Sequence, residues 1–178
     1  MSIDQIKNDI ENIRGDEAKL YSYLYDLTYL EKSKNIRFME AIYIPFLKDA
    51  RSEIRRVAIY CLLFGLKIRK MEIKEIALHE LRNNHNDIDL RVSCISGLSQ
   101  AYMATDDGEI LSLFYSLFVD EGEDSDIRLE SFVGMMILHG LKSAQIMSKN
   151  RSRPYMSFED LHVDEFAKEL SEIRRIVS

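Results

Sequence analysis

The stretch DEGEDSDIR, from Asp120 to Arg128, crowds five carboxylates around one glycine. Alternating acids beside a glycine are the raw material of a calcium loop. An EF-hand needs its acids at the first, third and fifth positions and its glycine at the sixth, whereas Gly122 stands third here. The calcium pattern therefore fails. His79, His85, His139 and His162 have no Cys or His partner at zinc-ligand spacing, and glycine-rich phosphate loops, G-x-S-x-G elbows and catalytic-cysteine signatures are missing. Ser93-Cys94-Ile95-Ser96-Gly97 carries reactive side chains, and carboxylates are plentiful. Such groups catalyse only where shielding tunes their pKa, and acids crowded into turns are usually solvated. The expectation is a protein that is not an enzyme and uses no cofactor and no metal. Cys61 and Cys94 are expected to be reduced, buried thiols.

Self-similarity along the chain explains the Ser93 to Gly97 segment better than reactivity does. Glu53-Ile54-Arg55, Asp89-Leu90-Arg91 and Asp126-Ile127-Arg128 align without gaps, their arginines 36 and 37 residues apart. Three positions after each arginine stands a small residue (Ala58, Cys94, Ser131), six after it another (Cys61, Gly97, Gly134), and seven after it an apolar one (Leu62, Leu98, Met135). At about 100° per residue, the positions one before and three, four and seven after the arginine share one helix face, the expected core stripe. The leading acid suits the positive end of the helix dipole, and Ser52 and Ser125 are the expected N-caps. The arginine is expected to reach adjacent helix ends and donate to carboxylates or terminal carbonyls there.

Amphipathic segments precede these helices at 36–48, 72–83 and 109–119. A helical pair of about 37 residues cannot bury its apolar face alone, so successive pairs must stack. The chain reads as one domain: a degenerate helical hairpin over 1–35, three repeats over 36–143, then a linker at 149–155 and a capping helix over 158–177. The expected fold is all-α with about nine helices.

The repeat resembles the HEAT family, whose second helix opens with an acid-aliphatic-arginine signature followed by small residues. The resemblance covers 36–141 and implies a short right-handed α-α superhelix of helical hairpins. HEAT repeats also tend to place an aspartate six residues before the arginine. Asp49 meets this for Arg55, but His85 and Gly122 fill that slot in the other two repeats, which puts a continuous aspartate-arginine ladder in doubt. HEAT-like DNA glycosylases are a rival within this superfold, and that resemblance implies a basic concave surface with tryptophan or tyrosine contacts. The chain is acidic and has 0 Trp.

With 178 residues, 46% hydrophobic and 30% charged, and only 7 Gly and 2 Pro, the composition favours a folded helical domain over disorder. The net charge of −6 argues against a nucleic-acid partner and suits a basic protein. The opening residues hold no signal-like apolar segment, and the apolar runs at 57–66 and 132–141 fall short of the roughly 20 residues a membrane span needs. A soluble cytoplasmic protein, off the membrane and monomeric when free, is expected.

A solenoid without a catalytic constellation is expected to bind protein. Positions two, five and nine after each arginine should lie opposite the core stripe: Val57, Tyr60 and Phe64, then Ser93, Ser96 and Gln100, then Glu130, Val133 and Ile137. Tyr60 and Phe64 are candidate anchors unless the N-terminal hairpin covers them. Tyr21, Tyr23, Tyr25 and Tyr29 wrap around their helix and are expected to pack between helices. Acids concentrate at Asp106, Asp107 and Glu109, and again at Asp120, Glu121, Glu123 and Asp124, which the repeat does not require. They either attract a basic partner or keep the turns solvated. Among small acidic proteins of this architecture, the chain looks like a bacterial immunity protein. That resemblance implies occlusion of a basic toxin, a nuclease delivered in contact-dependent growth inhibition. A general HEAT adaptor is the alternative.

Overall fold

Capping side chains open five of the ten α-helices among the described residues. In the computed structural model, which describes residues 2–31, 36–150 and 157–178, Ser2 Oγ accepts from the Gln5 N–H (3.2 Å) and opens α1 (Ile3–Ile13). Asp16 accepts from the Lys19 N–H (3.1 Å) ahead of α2 (Glu17–Glu31). Asp87, Asp107 and Asp124 cap α6 (Ile88–Ala101), α7 (Gly108–Val119) and α8 (Ser125–Leu138) in the same way. The expected caps Ser52 and Ser125 are instead the first residues of α4 (Ser52–Tyr60) and α8. The aspartate one residue earlier takes the cap of α8, and α4 starts after Arg51 with no side-chain cap.

Two expected helices are interrupted for identifiable reasons. The segment over 36–48 divides into α3 (Ile36–Tyr43) and a 3-10 turn at Ile44–Lys48. Pro45 has no N–H and its ring would collide with the carbonyl four residues back, so the chain tightens there. The capping helix expected from 158 begins only at α10 (Ala167–Val177), after a 3-10 turn at Val163–Phe166. Buried Asn150 donates to the Asp160 carbonyl (3.1 Å) and accepts from the His162 N–H (2.6 Å), backbone groups that a continuous helix would have used itself. A short helix, α9 (Ser143–Lys149), occupies part of the expected tail, and α5 (Met71–Asn83) matches its expected span. The described residues therefore hold ten α-helices rather than nine, and no strand. Most of the expected linker, from 151 to 155, lies outside the described residues, as do 32–35 of the N-terminal hairpin.

The arginine-led helices stack in series. α2 packs on α4, α4 on α6 and α6 on α8, while α1 covers α2, the 3-10 turn covers α4, α5 covers α6 and α7 covers α8. The twelve positions of the expected core stripe are all fully buried, from Ile54, Ala58, Ile59 and Leu62 through Leu90, Cys94, Ile95 and Leu98 to Ile127, Ser131, Phe132 and Met135. The second small column has a steric reason. A Cβ on Gly97 would lie 2.9 Å from Leu63 Cβ on the preceding unit, and one on Gly134 would lie 2.7 Å from the Phe114 ring. Val57 and Ile137, expected on the open face, are buried. α2 lies over α4, and α8 packs against α6, α7 and α9.

Each repeat arginine closes the seam between units. Arg55 donates to the Asp49 carbonyl (2.9 Å) and to Glu80 (3.1 Å), Arg91 to the Leu81 carbonyl (3.1 Å) and to Glu123 (2.9 Å), and Arg128 to the Phe118 carbonyl (3.2 Å). Where the third unit lacks a following carboxylate, the Arg128 guanidinium sits 4.1 Å over the Phe158 ring. The ladder thus runs through Glu80 and Glu123 rather than through aspartates six residues before each arginine. These carboxylates arise 25 and 32 residues after the arginines they serve.

A histidine clasp holds the C-terminal helix. His139, at the end of α8, bonds through Nδ1 to Asp106 (2.8 Å) and through Nε2 to Glu172 on α10 (2.9 Å). Burial by itself would lower the imidazole pKa, but the two carboxylates outweigh it and raise it above the ordinary value of 6.5. The folded pKa exceeds the unfolded one, so this stabilisation is complete below about pH 6.5 and is lost as pH rises through the folded value. Urea midpoints are expected to fall across that rise, and His139→Gln should remove this component of the slope. An NMR titration of His139 giving a pKa at or below 6.5 would contradict the prediction.

Candidate functional site

The structure separates the acids that the sequence grouped together. Asp107 caps α7 and also receives the Lys74 Nζ (2.8 Å), and Glu109 joins the same lysine (3.0 Å) and Arg82 (3.4 Å). The Lys74 side chain is only 6% exposed. Its burial opposes the charge, yet the hydrogen bonds it donates to Asp107 and Glu109 leave its pKa raised. Asp106 is committed to His139. In the second cluster, Asp120 turns back onto the Gly122 N–H (2.9 Å), Glu123 grips Arg91, and Asp124 caps α8. The reading of Asp120, Glu121, Glu123 and Asp124 as surplus to the fold is therefore corrected. Glu123 and Asp124 are structural, since a turn between stacked units must satisfy both the next helix start and the preceding arginine. No group of three His, Cys, Asp or Glu side chains among the described residues is arranged to hold a metal ion.

Tyr60, Phe64 and Glu130 behave differently, because each is half-buried on the outer side of the α2, α4, α6 and α8 layer. Tyr60 and Phe64 stack at 4.7 Å and 12°, joined across the π-helical turn Cys61–Gly65 that closes with the Leu66 N–H on the Cys61 carbonyl (2.8 Å). This widened turn buries Leu62 and Leu63 in succession and leaves Phe64 beside Tyr60. The N-terminal hairpin covers them only in part. Tyr25 stacks on Tyr60 at 6.0 Å, Tyr21 lies parallel to Tyr25 at 6.4 Å, and Tyr29 tilts against Tyr25 at 5.1 Å. The expectation that the α2 tyrosines pack between helices holds for Tyr23, which reaches Asp9 on α1 (3.1 Å), and for Tyr21 and Tyr25, which pack against Arg56 and Tyr60 of α4. Tyr21, Tyr25 and Tyr29 line one edge toward α4, where Tyr29 is 56% exposed. Their spacing of four residues is the signal that marks a single stripe.

Glu130 lies across α6 from this aromatic edge. Its carboxylate accepts from Ser96 Oγ (3.1 Å). Burial and, more weakly, the Asp126 charge raise its pKa against the Ser96 hydrogen bond. Between them α6 presents Ser93, Ser96 and Gln100, polar and half-buried.

The two thiols lie beneath this surface. Cys61 and Cys94 are free and buried, and desolvation pushes the Cys61 thiol up to about 11 and Cys94 higher still. Both are therefore protonated at neutral pH. Among the described residues no helix is long and apolar enough to cross a membrane. Compared with protein-family models, with characterised proteins and with solved structures, the chain matches none.

Proposed function

We propose that this chain is a HEAT-like protein-binding module, without catalysis of its own, that acts as an immunity protein by covering the cationic active site of a basic toxin. The observation that carries the reading is the outer edge of α2 and α4, where Tyr21, Tyr25, Tyr29, Tyr60 and Phe64 form a continuous run of partly exposed rings. Amphipathic rings of this kind supply large contact area at low entropic cost, which is how interface anchors work. The net charge of −6 adds long-range attraction for a basic partner. The arginine-led repeats favour a stacked solenoid, and in HEAT-like folds such a helix layer offers an extended surface for a partner.

The test is binding to a basic protein encoded beside this chain's gene, with co-expression as the biological readout. Dissociation constants in the nanomolar range or below, an association rate that drops with salt, and rescue of cells from that protein's toxicity are expected. Several micromolar partners of no common charge, with no rescue, would overturn the reading in favour of an adaptor.

A further inference from the structure

Resting on the reading above, we infer that the outer face of α2, α4, α6 and α8 is a receptor for an arginine- or lysine-bearing segment of the partner protein, with tyrosine ring faces and Glu130 as its two recognition elements. The face already uses this chemistry within the chain. The Arg56 guanidinium lies 5.3 Å over the Tyr21 ring, at one end of the aromatic run. Tyr60 and Phe64 continue the run toward α6.

Charge selects the occupant. Each arginine-led helix carries an acid in its first turn, Glu53, Asp89 and Asp126, and the sole cation paired with them among the described residues is Arg56, bonded to Glu53 and to Asp89 (3.2 Å). Asp126 and Glu130 have no ion pair there among the described residues. A half-buried carboxylate whose one described hydrogen bond comes from a neutral hydroxyl is under-compensated, and a guanidinium or ammonium is the group that would complete it. Short side chains, Ser93 and Ser96 on α6, lie between Glu130 and the rings, so the two elements stand on either side of one helix. An anionic segment would meet uncompensated carboxylates, and a second copy of this acidic chain would bring more of them.

The probe is a labelled peptide alternating glycine and arginine, compared with its citrulline counterpart, titrated into the full chain at roughly 150 mM salt. The arginine peptide is expected to bind and to shift amide resonances on α4, α6 and α8, with the citrulline peptide weaker by about tenfold or more. Glu130→Gln and Tyr60→Ala should each weaken the arginine peptide by about tenfold, while Glu121→Gln, on an exposed turn, should leave it unchanged. Tyr29→Ala, at the most exposed ring, tests the aromatic element should Tyr60→Ala disturb folding. Equal binding of the citrulline peptide, equal loss with Glu121→Gln, or resonance shifts confined to the turns would each overturn the site. A basic partner that binds Glu130→Gln and Tyr29→Ala at full strength would overturn this site and leave the basic-partner reading standing. Failure of every basic protein to bind would remove that reading itself.

Discussion

Glu123→Ala is expected to destabilise the protein by about 3–5 kcal/mol, because it strands a buried guanidinium. The Arg91 side chain is only 1% exposed. Its Nε donates to the Leu81 carbonyl (3.1 Å), and its two terminal nitrogens engage both Glu123 oxygens at 2.9 and 2.5 Å. Fork-to-fork pairing of this kind is geometrically specific, and removing the acceptor leaves a charge with neither water nor counterion. The measurement is the urea midpoint and slope, with Glu121→Ala as a control expected to stay within about 0.5 kcal/mol. An Arg91→Met and Glu123→Leu double variant should recover much of the loss, since a well-packed apolar pair often replaces a buried ion pair without penalty. A near-neutral Glu123→Ala would show that the seam between the second and third units does not depend on this pair. The same contact gives acid sensitivity. The Arg91 hydrogen bond, acting against burial, holds the Glu123 carboxyl below its ordinary value of 4.5. Its contribution is therefore present above about pH 4.5 and is lost as pH falls through the lower folded value.

This result also changes how the acidic turn can be probed. Reversing all of Asp120, Glu121, Glu123 and Asp124 together would unseat Arg91 and uncap α8, so loss of partner binding would report unfolding. Asp120 and Glu121 are the pair whose charge can be altered with little effect on either helix.

Phe132→Ala carries the second large effect, about 3–5 kcal/mol, from a cavity at the junction of the third repeat and the C-terminal segment. Phe132 is fully buried, its ring 5.0 Å from Phe166 in an edge-on arrangement and 5.3 Å from Phe118. Phe118 in turn contacts Phe158 at 6.3 Å. Truncation removes the shared member of this aromatic group, and α8 and α7 cannot collapse freely because Gly134 already sets their close approach. The melting temperature should drop by roughly 10 °C for a chain of this size. Limited proteolysis should then cut first in the segment leading to α10. Phe64→Ala, which loses a half-buried ring, should cost much less. If the two variants melted together, the C-terminal segment would be docked by other contacts.

The repeat was legible because it is periodic. A rotation of 100° per residue places Ile54, Leu90 and Ile127 with their partners three, four and seven positions on along one face, and every one of those residues is buried. The arginines were legible as seam residues for the same reason, since a fixed place in the first turn aims each at a neighbouring helix end. Their acceptors were not, because Glu80 sits on the last turns of α5 while Glu123 sits in a turn, and the two share no column of the repeat. The aromatic surface was half legible. Tyr60 and Phe64 follow from the face opposite the core, whereas the contribution of Tyr21, Tyr25 and Tyr29 depends on how α2 lies over α4.

The sequence by itself determined the all-helical class, the unit length, the core stripe and the small positions where units approach, all of which follow from local geometry repeated along the chain. Tertiary structure alone decided which acids remain available to a partner, that α2 completes an aromatic edge, and that Asn150 breaks the terminal helix. Those outcomes depend on groups 10 to 35 residues apart meeting in space, where spacing along the chain carries no rotational information.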